Sequence, residues 1–342
     1  MSDIEFGLDT FGGVTHDHSG AADTHPEVIA NLVGDGVVAD ELGLDFFAVG
    51  EHHRPDFAVS APELVLAAIA ARTSSIRLGS AVTVLSSDDP VRVYERFATL
   101  DGISGGRAEI VAGRGSFIES FPLFGYDLKD YDVLFDEKLD LLSKLVRSQP
   151  VTWSGTTRAS LTDQSVFPTT AAPMPVWVGV GGTPESVVRT ARYGFGLFLA
   201  IIGGAPSRFK AYVDLFDRAQ DQFGVPRAPV AVHSPGLVAE TDEKARDLVY
   251  DGWLAFRTKL GAERGWGPVG PDEFEHEIER GSLYVGGPET VATKIAATLR
   301  TLKVNRFDLK YDQPVPHAVQ RSSIELYGDK VVPLVKDMLA GG

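Results

Sequence analysis

Three titratable side chains stand together where an apolar run ends, in the stretch FFAVGEHHRPDF at 46–57. Glu51, His52 and His53 directly follow that run, although the chain has only eight histidines. Imidazole titrates near neutral pH and also binds metals, so the pair suits either proton transfer or metal binding. These residues leave three alternatives open: a metal site, a cofactor site and an ordinary polar loop.

The positions of the other histidines argue against a metal site. No histidine lies between residues 53 and 233, and the chain has no cysteine. Two or three imidazoles leave most metal ions under-ligated, and the middle of the chain supplies no further imidazole or thiolate. The stretch HDH at 16–18 is typical of a polar loop. We therefore predict no metal centre from the eight histidines, which are His16, His18, His25, His52, His53, His233, His276 and His317.

A glycine-rich turn offers a second kind of chemistry, in VWVGVGGTPESVV at 176–188. The strand-like part ends at Gly181 and Gly182, where the backbone can approach a ligand closely, and a helix is predicted from Thr183. The amino end of a helix presents unpaired N–H groups and favours an anion such as a phosphate. A similar sequence, VGGPETVATKIA at 285–296, is also consistent with an ordinary helix start. The motif alone leaves both interpretations open.

Eight strand-like runs alternate with helix-like stretches that would position these groups. Most runs are apolar on both faces, as in a parallel sheet that helices cover. The first helix is predicted near Thr24, because Thr24 and Glu27 have capping-box spacing. Eight units predict a closed (β/α)8 TIM barrel; a doubly wound open sheet is the alternative, but no GxGxxG follows the first strand. The runs are 4–11, 44–50, 76–85, 107–113, 174–180, 195–202, 228–234 and 306–312.

Two segments exceed what a minimal barrel needs. Both follow strands on the carboxyl-terminal side, where barrel enzymes build their active sites. Residues 114–131 are rich in aromatic side chains and begin with Arg114, either a cation at the barrel mouth or a surface arginine. Residues 257–281 form an insertion after strand seven, which we interpret as a candidate lid, with a loose surface loop or a dimer contact as alternatives. We treat residues 1–342 as a single barrel domain.

The composition narrows the expected partners and location. The chain carries 47 acidic and 32 basic residues, a formal charge of −15, which disfavours nucleic acid and anionic membranes as partners. No basic stretch precedes an apolar segment at the start, so we expect no signal peptide. No apolar run approaches the ~18 residues of a membrane span. We therefore expect a soluble, cytoplasmic protein.

Together, these stretches resemble the bacterial luciferase-like family of flavin-dependent monooxygenases. The resemblance covers nearly the whole chain and is most specific in the block 76–117, IRLGSAVTVLSSDDPVRVYERFATLDGISGGRAEIVAGRGSF. It also includes GEHH, FPLFGYDLKDY, VWVGVGGTPESV, LFLAIIGG, YVGGPETVATKI and VVPLV.

The resemblance implies a TIM barrel that binds flavin at its carboxyl-terminal mouth. Many members receive reduced FMN from a separate reductase and use O2 to form a C4a-(hydro)peroxyflavin, which oxidises a small organic compound. We therefore expect an FMN-dependent monooxygenase with a small organic substrate, a separate flavin reductase as partner, and a homodimer formed through helices two and three. Two alternatives stay open: an F420-dependent oxidoreductase of the same fold that transfers hydride, and a flavin-binding relative without catalytic activity.

The resemblance assigns catalytic roles to Glu51 and His52. His52 matches the family's catalytic histidine, and Glu51 is expected to orient its imidazole. Positioned proton transfer by such a histidine contributes ~10²–10⁴-fold to rate. Ala81 and Val82 match a pair that luciferases join by a non-proline cis peptide under the isoalloxazine. Nearby aromatic residues predict an apolar or aromatic substrate; the candidates are Phe6, Phe11, Phe117, Phe121 and Trp266.

The resemblance also assigns residues to the phosphate end of the flavin. Gly113 and Arg114 match the end of strand four that lines the cofactor, with the arginine near the phosphate. This sequence departs from luciferases twice: they have a reactive cysteine where Gly113 stands, and a second phosphate-binding arginine near Asp132. The missing cysteine implies that its modulation of the flavin intermediate is absent, and the missing arginine implies a weaker grip on the phosphate. The turn after strand five matches at Gly181, Gly182, Thr183 and Ser186.

Overall fold

The computed structural model describes residues 4–16, 21–115, 117–265 and 267–341. Eight parallel strands form the barrel: β1 (Glu5–Thr10), β2 (Phe46–Val49), β3 (Arg77–Ser80), β5 (Ala108–Gly113), β8 (Val176–Val180), β9 (Gly196–Ala200), β10 (Val230–Val238) and β12 (Arg306–Lys310). The ring closes because β10 pairs with both β9 and β12, and β12 pairs with β1. The predicted (β/α)8 TIM barrel is confirmed.

Four shorter strands complete the sheets: β4 (Thr83–Val84), β6 (Val151–Trp153), β7 (Leu161–Gln164) and β11 (Tyr284–Gly286). The predicted third strand, 76–85, is divided into β3 and β4 around residues 81–82. β6 and β7 form an antiparallel hairpin, while β11 pairs with the end of β10. The sequence interpretation missed the hairpin and β11, because runs of three or four residues give too few positions to reveal a period.

Helices pack around the ring, and most follow a barrel strand. None of the described helices combines the length and apolarity needed to cross a bilayer. A 3-10 turn at Leu128–Asp130, another at Pro206–Phe209 and a π-helical turn at Tyr327–Val331 supplement them. The helices are α1 (His25–Glu41), α2 (Pro62–Ala70), α3 (Pro90–Ser104), α4 (Ser120–Phe124), α5 (Tyr131–Leu145), α6 (Pro184–Tyr193), α7 (Lys210–Phe223), α8 (Asp242–Arg264), α9 (Pro271–Glu279), α10 (Pro288–Leu302), α11 (His317–Leu326) and α12 (Val332–Ala340).

Local signals in the sequence explain where the first helices begin and end. The predicted capping box forms at α1: the Glu27 backbone N–H donates to the Thr24 hydroxyl, and the Thr24 N–H donates to the Glu27 carboxylate. At α3, the Asp89 carboxylate accepts a hydrogen bond from the Val91 backbone N–H in the first turn. Gly105 ends α3 with a φ of +72°, in the left-handed region that a residue without Cβ adopts at little cost.

The amino-terminal end of the ring is closed by a buried ion pair. Arg306 at the start of β12 is fully buried and donates to both carboxylate oxygens of Glu109, at 2.9 and 3.1 Å. Its guanidinium also lies 4.2 Å from the Phe46 ring centroid and 4.5 Å from that of Trp177. A buried charge is tolerated only when it is paired in this way. Ligand access is therefore expected at the opposite, carboxyl-terminal end.

Most of the insertion at 257–281 is helical rather than a loose loop. α8 continues to Arg264, and α9 occupies Pro271–Glu279. Phe274 of α9 is buried against Trp253 of α8, with ring centroids 5.1 Å apart. Lys294 Nζ donates to three backbone carbonyls at and just beyond the end of α9. The composition was misread here, because its glycine and proline residues lie largely between and beside the helices.

Candidate active site

His52 lies just beyond β2, at the carboxyl-terminal end of the barrel, among aromatic rings. It is 8% exposed. Its ring stacks on Phe57 with centroids 4.3 Å apart, and Phe11 and Phe117 lie at 4.8 and 5.4 Å. Two of the predicted lining residues, Phe11 and Phe117, therefore lie beside the predicted catalytic histidine. Such surroundings suit an aromatic or apolar molecule.

Glu51 does not orient His52, contrary to the expectation from sequence. Its Oε1 accepts a 2.9 Å hydrogen bond from His53 Nε2, and its Oε2 accepts a 2.8 Å bond from the Val84 backbone N–H. This hydrogen bond to the Glu51 carboxylate raises the pKa of His53, against the opposing effect of burial. Consecutive side chains leave the backbone in different directions, so adjacency in sequence did not bring Glu51 and His52 together. The carboxylate instead ties His53 to β4.

The carboxylate that faces His52 is Glu119, from the aromatic-rich segment after β5. Its Oε1 lies 3.9 Å from His52 Nδ1, too long for a hydrogen bond but close enough for a charge contact. Burial opposes ionisation of Glu119, yet His52 and neighbouring backbone N–H groups outweigh it and lower the pKa of Glu119. The sequence interpretation missed Glu119, because only folding brings residues 52 and 119 together.

Several other sequence candidates lie away from this cluster. Phe6 is fully buried between the barrel and its helices, with Lys336 over its ring. Phe121 is buried and stacks on Tyr131, with centroids 5.6 Å apart. Trp266 lies outside the described residues, as does most of the HDH stretch. Phe6 and Phe121 were therefore wrongly predicted to line a pocket.

The Ala81–Val82 peptide bond between β3 and β4 is cis, as the resemblance implied. Val82 packs toward the ends of β5 and β8. A Cβ added to Gly113 would lie 2.6 Å from a methyl group of Val82, and one added to Gly179 would lie 2.8 Å from the other. Val82 thus occupies the space that a larger residue at 113 would need, which gives a physical reason for glycine at that position.

Arg114, Thr183 and Ser186 meet at the start of α6. One terminal nitrogen of Arg114 lies 3.2 Å from Ser186 Oγ and 3.5 Å from Thr183 Oγ1. The two hydroxyls are themselves hydrogen bonded at 2.7 Å. The sequence candidates from β5 and from the turn after β8 are therefore brought together, and they offer a guanidinium and two hydroxyls to an anion.

Asp132 lies beside this cluster. Its carboxylate accepts a 3.0 Å bond from the other terminal nitrogen of Arg114, and its side chain is 75% exposed. Where luciferases have a second arginine, this chain has an acidic residue that competes for the first one. The departure noted from sequence thus acts directly on Arg114.

The two glycines of the turn differ in their surroundings. Gly181 is exposed, and a Cβ added to it would meet no atom within 4 Å, so the space above it is open. Gly182 has a φ of +135°, which side chains rarely adopt. Tyr212 donates a 2.7 Å hydrogen bond to the Gly182 carbonyl and fixes the turn.

A second histidine, His233 of β10, lies inside the barrel mouth and was missed as a site residue. Its Nδ1 is 3.0 Å from both carboxylate oxygens of Asp9 of β1, and both residues are almost completely buried. In the sequence, His233 is a lone histidine in an apolar run. We considered it only as a metal ligand and therefore did not predict it as a site residue.

The comparison with protein families decides the assignment. The model of the family described as "Luciferase-like monooxygenase" matches residues 10–306, from β1 into β12. The chain belongs to this family. The predicted resemblance is confirmed at the level of a luciferase-like monooxygenase, an enzyme family.

Named relatives and solved structures agree with the family assignment. The chain is 30% identical over 245 residues to 4-hydroxyprotoasukamycin monooxygenase of Streptomyces nodosus subsp. asukaensis, a match that covers 67% of this chain and 64% of that relative. The crystal structure of monooxygenase RslO1 from Streptomyces bottropensis has a TM-score of 0.84 at 21% identity, covering 96% of this chain and 99% of the other.

Two further luciferase-like folds carry different cofactors in their descriptions. The oxygenating constituent of 3,6-diketocamphane monooxygenase from Pseudomonas putida, solved in complex with FMN, has a TM-score of 0.77 at 19% identity, covering 97% of this chain and 98% of that chain. The coenzyme F420 dependent tetrahydromethanopterin reductase from Methanopyrus kandleri has a TM-score of 0.73 at 19% identity, covering 97% and 99%. At these identities the likeness concerns the fold alone.

Proposed function

We propose that this luciferase-like family member uses reduced FMN and O2 to oxidise a small organic substrate. The observation that carries the proposal is the cluster of Arg114, Thr183 and Ser186 at the start of α6. It lies at the same end of the barrel as His52 and its aromatic neighbours. An anion-binding helix start and an aromatic cavity with an acid–base group match the two ends of a flavin mononucleotide.

The residues present fit the phosphate of FMN. The cluster supplies one guanidinium, two hydroxyls and the amino end of α6, and the space above Gly181 is open. No side chain of the described residues accepts a hydrogen bond from the backbone N–H groups of Gly181, Gly182, Thr183 or Glu185. Arg114, Thr183 and Ser186 would hold the phosphate, while Ala81, Val82 and Gly113 would lie nearer the ring system.

His52 can transfer protons, and the side chains around it can exclude water. Reduced FMN, when bound, supplies the electrons that activate O2. His52 is positioned to give or take a proton at the aromatic end of the site, and the Glu119 carboxylate lies 3.9 Å from its Nδ1. Phe11, Phe57 and Phe117 surround the imidazole and keep water from it.

The decisive experiment is a cofactor titration of the purified protein, monitored by absorbance and fluorescence. We expect FMN to bind more tightly than riboflavin, because only FMN carries the phosphate that the α6 cluster recognises. O2-dependent oxidation of a substrate panel, with reduced FMN supplied by a flavin reductase, would then be measured against peroxide release. Binding of neither FMN nor reduced FMN at micromolar concentration would contradict the proposal.

An F420-dependent hydride transfer is the second candidate, and the reductase from Methanopyrus kandleri supports keeping it. The same titration separates the two. Binding of F420 without FMN, together with substrate-dependent F420 reduction under nitrogen, would favour this alternative. Binding of FMN without any O2-dependent product across the panel would favour a flavin-binding protein without catalysis.

We also propose that the insertion at 257–281 covers the mouth during turnover. Lys259 near the end of α8 forms a 2.9 Å ion pair with Asp56, in the loop that carries His52 and Phe57. Lys259→Ala should increase the share of reduced flavin lost as peroxide, by at most about fivefold because exposed ion pairs contribute ~0.2–1 kcal/mol. Lys244→Ala, at another lysine of α8, removes an exposed pair with Glu240 and is the matched control. Equal peroxide release from both variants would contradict the lid.

Two partners belong to the same proposal: a flavin reductase that delivers reduced FMN, and a second copy of the chain. Leu64 of α2 and Ile103 of α3 are 74% and 51% exposed, and burial of such side chains would support a homodimer through these helices. Sedimentation analysis of the wild type and of Leu64→Glu tests the dimer; an unchanged sedimentation coefficient would contradict it. A cytoplasmic location stays a prediction.

A further inference from the structure

The Asp9–His233 pair lies at the open end of the barrel. His233 pairs in register with Ala200, the last residue of β9, so it stands at the carboxyl-terminal edge of the ring. Its ring centroid is 6.2 Å from that of Phe11 and 5.5 Å from that of Phe198. Because Phe11 also lies 4.8 Å from His52, the two histidines flank one aromatic ring. They therefore border the same aromatic space.

Asp9 fixes which nitrogen of His233 can accept a proton. A carboxylate accepts hydrogen bonds, so the proton of the neutral ring lies on Nδ1, facing Asp9. Nε2 then keeps its lone pair. Within the described residues, Asp9 is the hydrogen-bonding partner of this ring, and Nε2 is left for a ligand. A buried carboxylate that sets the tautomer of a histidine is the arrangement of a general base.

Other titratable side chains near this pair come from β12. Asp308 is opposite His233 in the sheet register, and burial raises the pKa of Asp308 well above its ordinary value. Lys310 stands 4.4 Å from the Phe11 centroid and pairs with Asp312. Asp9 is thus the carboxylate within hydrogen-bonding distance of the imidazole.

We propose that His233 is a second catalytic residue and that the substrate is a phenol whose hydroxyl donates to His233 Nε2. The aromatic rings of Phe11, Phe57, Phe117 and Phe198 suit the ring of such a substrate. In the step, the O–H bond of the phenol breaks and an N–H bond forms at Nε2. The phenolate remains as the electron-rich species, and the imidazolium charge is balanced by Asp9, which acts as the positioning residue. This inference rests on the proposed oxidation for its reaction, but its binding test does not.

The test measures binding of 4-methylphenol and of 4-methylanisole by equilibrium dialysis, with oxidised FMN at saturation. The two probes differ in a hydroxyl that donates and a methoxy group that does not. We expect the wild type to prefer 4-methylphenol by about tenfold, the value of one hydrogen bond in a buried polar pair. In His233→Gln the preference should fall to about twofold or less, while 4-methylanisole binds as in the wild type.

Asp9→Asn should lose the preference as well, because an amide can donate to Nδ1 and move the proton to Nε2. His25→Gln, at an exposed histidine at the start of α1, is the matched control and should keep the tenfold preference. Thermal unfolding is recorded for each variant; because Asp9 and His233 are on different strands, either folded variant decides the question. A purely structural pair would lower the melting temperature of both variants and leave the preference unchanged.

Equal binding of the two probes by the wild type, or a preference that survives in His233→Gln or Asp9→Asn, would overturn the proposal. Retention of FMN is measured on the same samples. Loss of FMN binding by the wild type contradicts the proposed flavin chemistry, whereas loss of the hydroxyl preference contradicts the role of His233. The two failures are therefore distinguishable.

Discussion

The chain contains two helix starts with nearly the same letters, and the structure uses them differently. GGTPES begins α6 and GGPET begins α10. At α10, Gly287 donates a 2.6 Å bond to the Asp242 carboxylate, which also accepts from the Thr290 hydroxyl at 2.9 Å. Both glycines there are buried, and a Cβ on Gly286 would lie 2.7 Å from that carboxylate. The protein therefore supplies its own anion at α10.

At α6 the corresponding turn is exposed, and a cation stands where α10 has a carboxylate. Gly181 and Thr183 are on the surface, and Arg114 contacts both hydroxyls of the first turn. A positive helix end beside a guanidinium is unfavourable without an anion. A helix-start motif is therefore a candidate phosphate site only when no carboxylate of the chain itself binds there.

The largest expected effect is on turnover, at a residue outside the α6 anion site. His52→Ala should reduce turnover with saturating reduced FMN by about 10²–10⁴-fold, because it removes a positioned proton donor. FMN affinity should change little, since His52 follows β2, whereas the α6 cluster is formed by residues that follow β5 and β8. Steady-state oxygen consumption and an FMN titration check both points, with His25→Ala as the control. Unchanged turnover would remove His52 from the mechanism.

The next effect tests the α6 site directly. Arg114→Ala should weaken FMN binding by about 10- to 100-fold, since a hydrogen bond to a charged group contributes ~1.5–3 kcal/mol. Riboflavin, which lacks the phosphate, should bind equally to both proteins. Asp132→Asn is the opposite variant: it releases Arg114 and should tighten FMN binding several-fold. An equal loss of riboflavin affinity in Arg114→Ala would show that the arginine acts through the fold.

A substitution at the α10 helix start should change the stability of the fold and leave FMN binding unchanged. Asp242→Ala removes the internal anion and should lower the free energy of unfolding by about 1–2 kcal/mol, as for loss of a helix cap. Denaturant unfolding measures the change, and FMN affinity measured in parallel should stay that of the wild type. If Asp242→Ala weakens FMN binding as Arg114→Ala does, the distinction between the two helix starts is wrong.

The smallest effect concerns Glu51, which like Asp242 binds groups of its own chain. The pKa of His53 is raised in the folded protein, so its pair with Glu51 stabilises the fold fully below the unfolded pKa of ~6.5 and loses this effect as pH rises through the folded pKa. The difference in unfolding free energy between wild type and His53→Gln should therefore be larger near pH 5.5 than near pH 9, by up to ~1 kcal/mol. A difference that does not vary with pH would refute the assignment.

Local patterns predicted the architecture well. The eight apolar runs appear as barrel strands, although the third is divided, and the Thr24–Glu27 capping box begins α1. Periodicity and caps act over a few residues, so they can be read without knowing the fold. The insertion at 257–281 shows the limit, because its composition concealed the end of α8 and the whole of α9.

Local sequence patterns could not predict the contacts across the barrel. Sequence adjacency suggested that Glu51 serves His52, whereas Glu51 bonds to His53, and Glu119 faces His52 from another segment. Asp9 and His233 are 224 positions apart and meet only because β1 and β10 both flank β12. Hydrogen bonds depend on side-chain direction and distance, which closure of the ring sets.

By itself, the sequence determined an eight-stranded α/β barrel and the residues offered at its carboxyl-terminal end, since short-range propensity and alternation govern these, and its motifs indicated the family by resemblance. The tertiary structure alone decided which carboxylate meets which histidine and which of two similar helix starts is left open to a ligand. Interactions between charges are screened within about 10 Å at physiological ionic strength, so partners far apart in the chain interact only when the ring has closed.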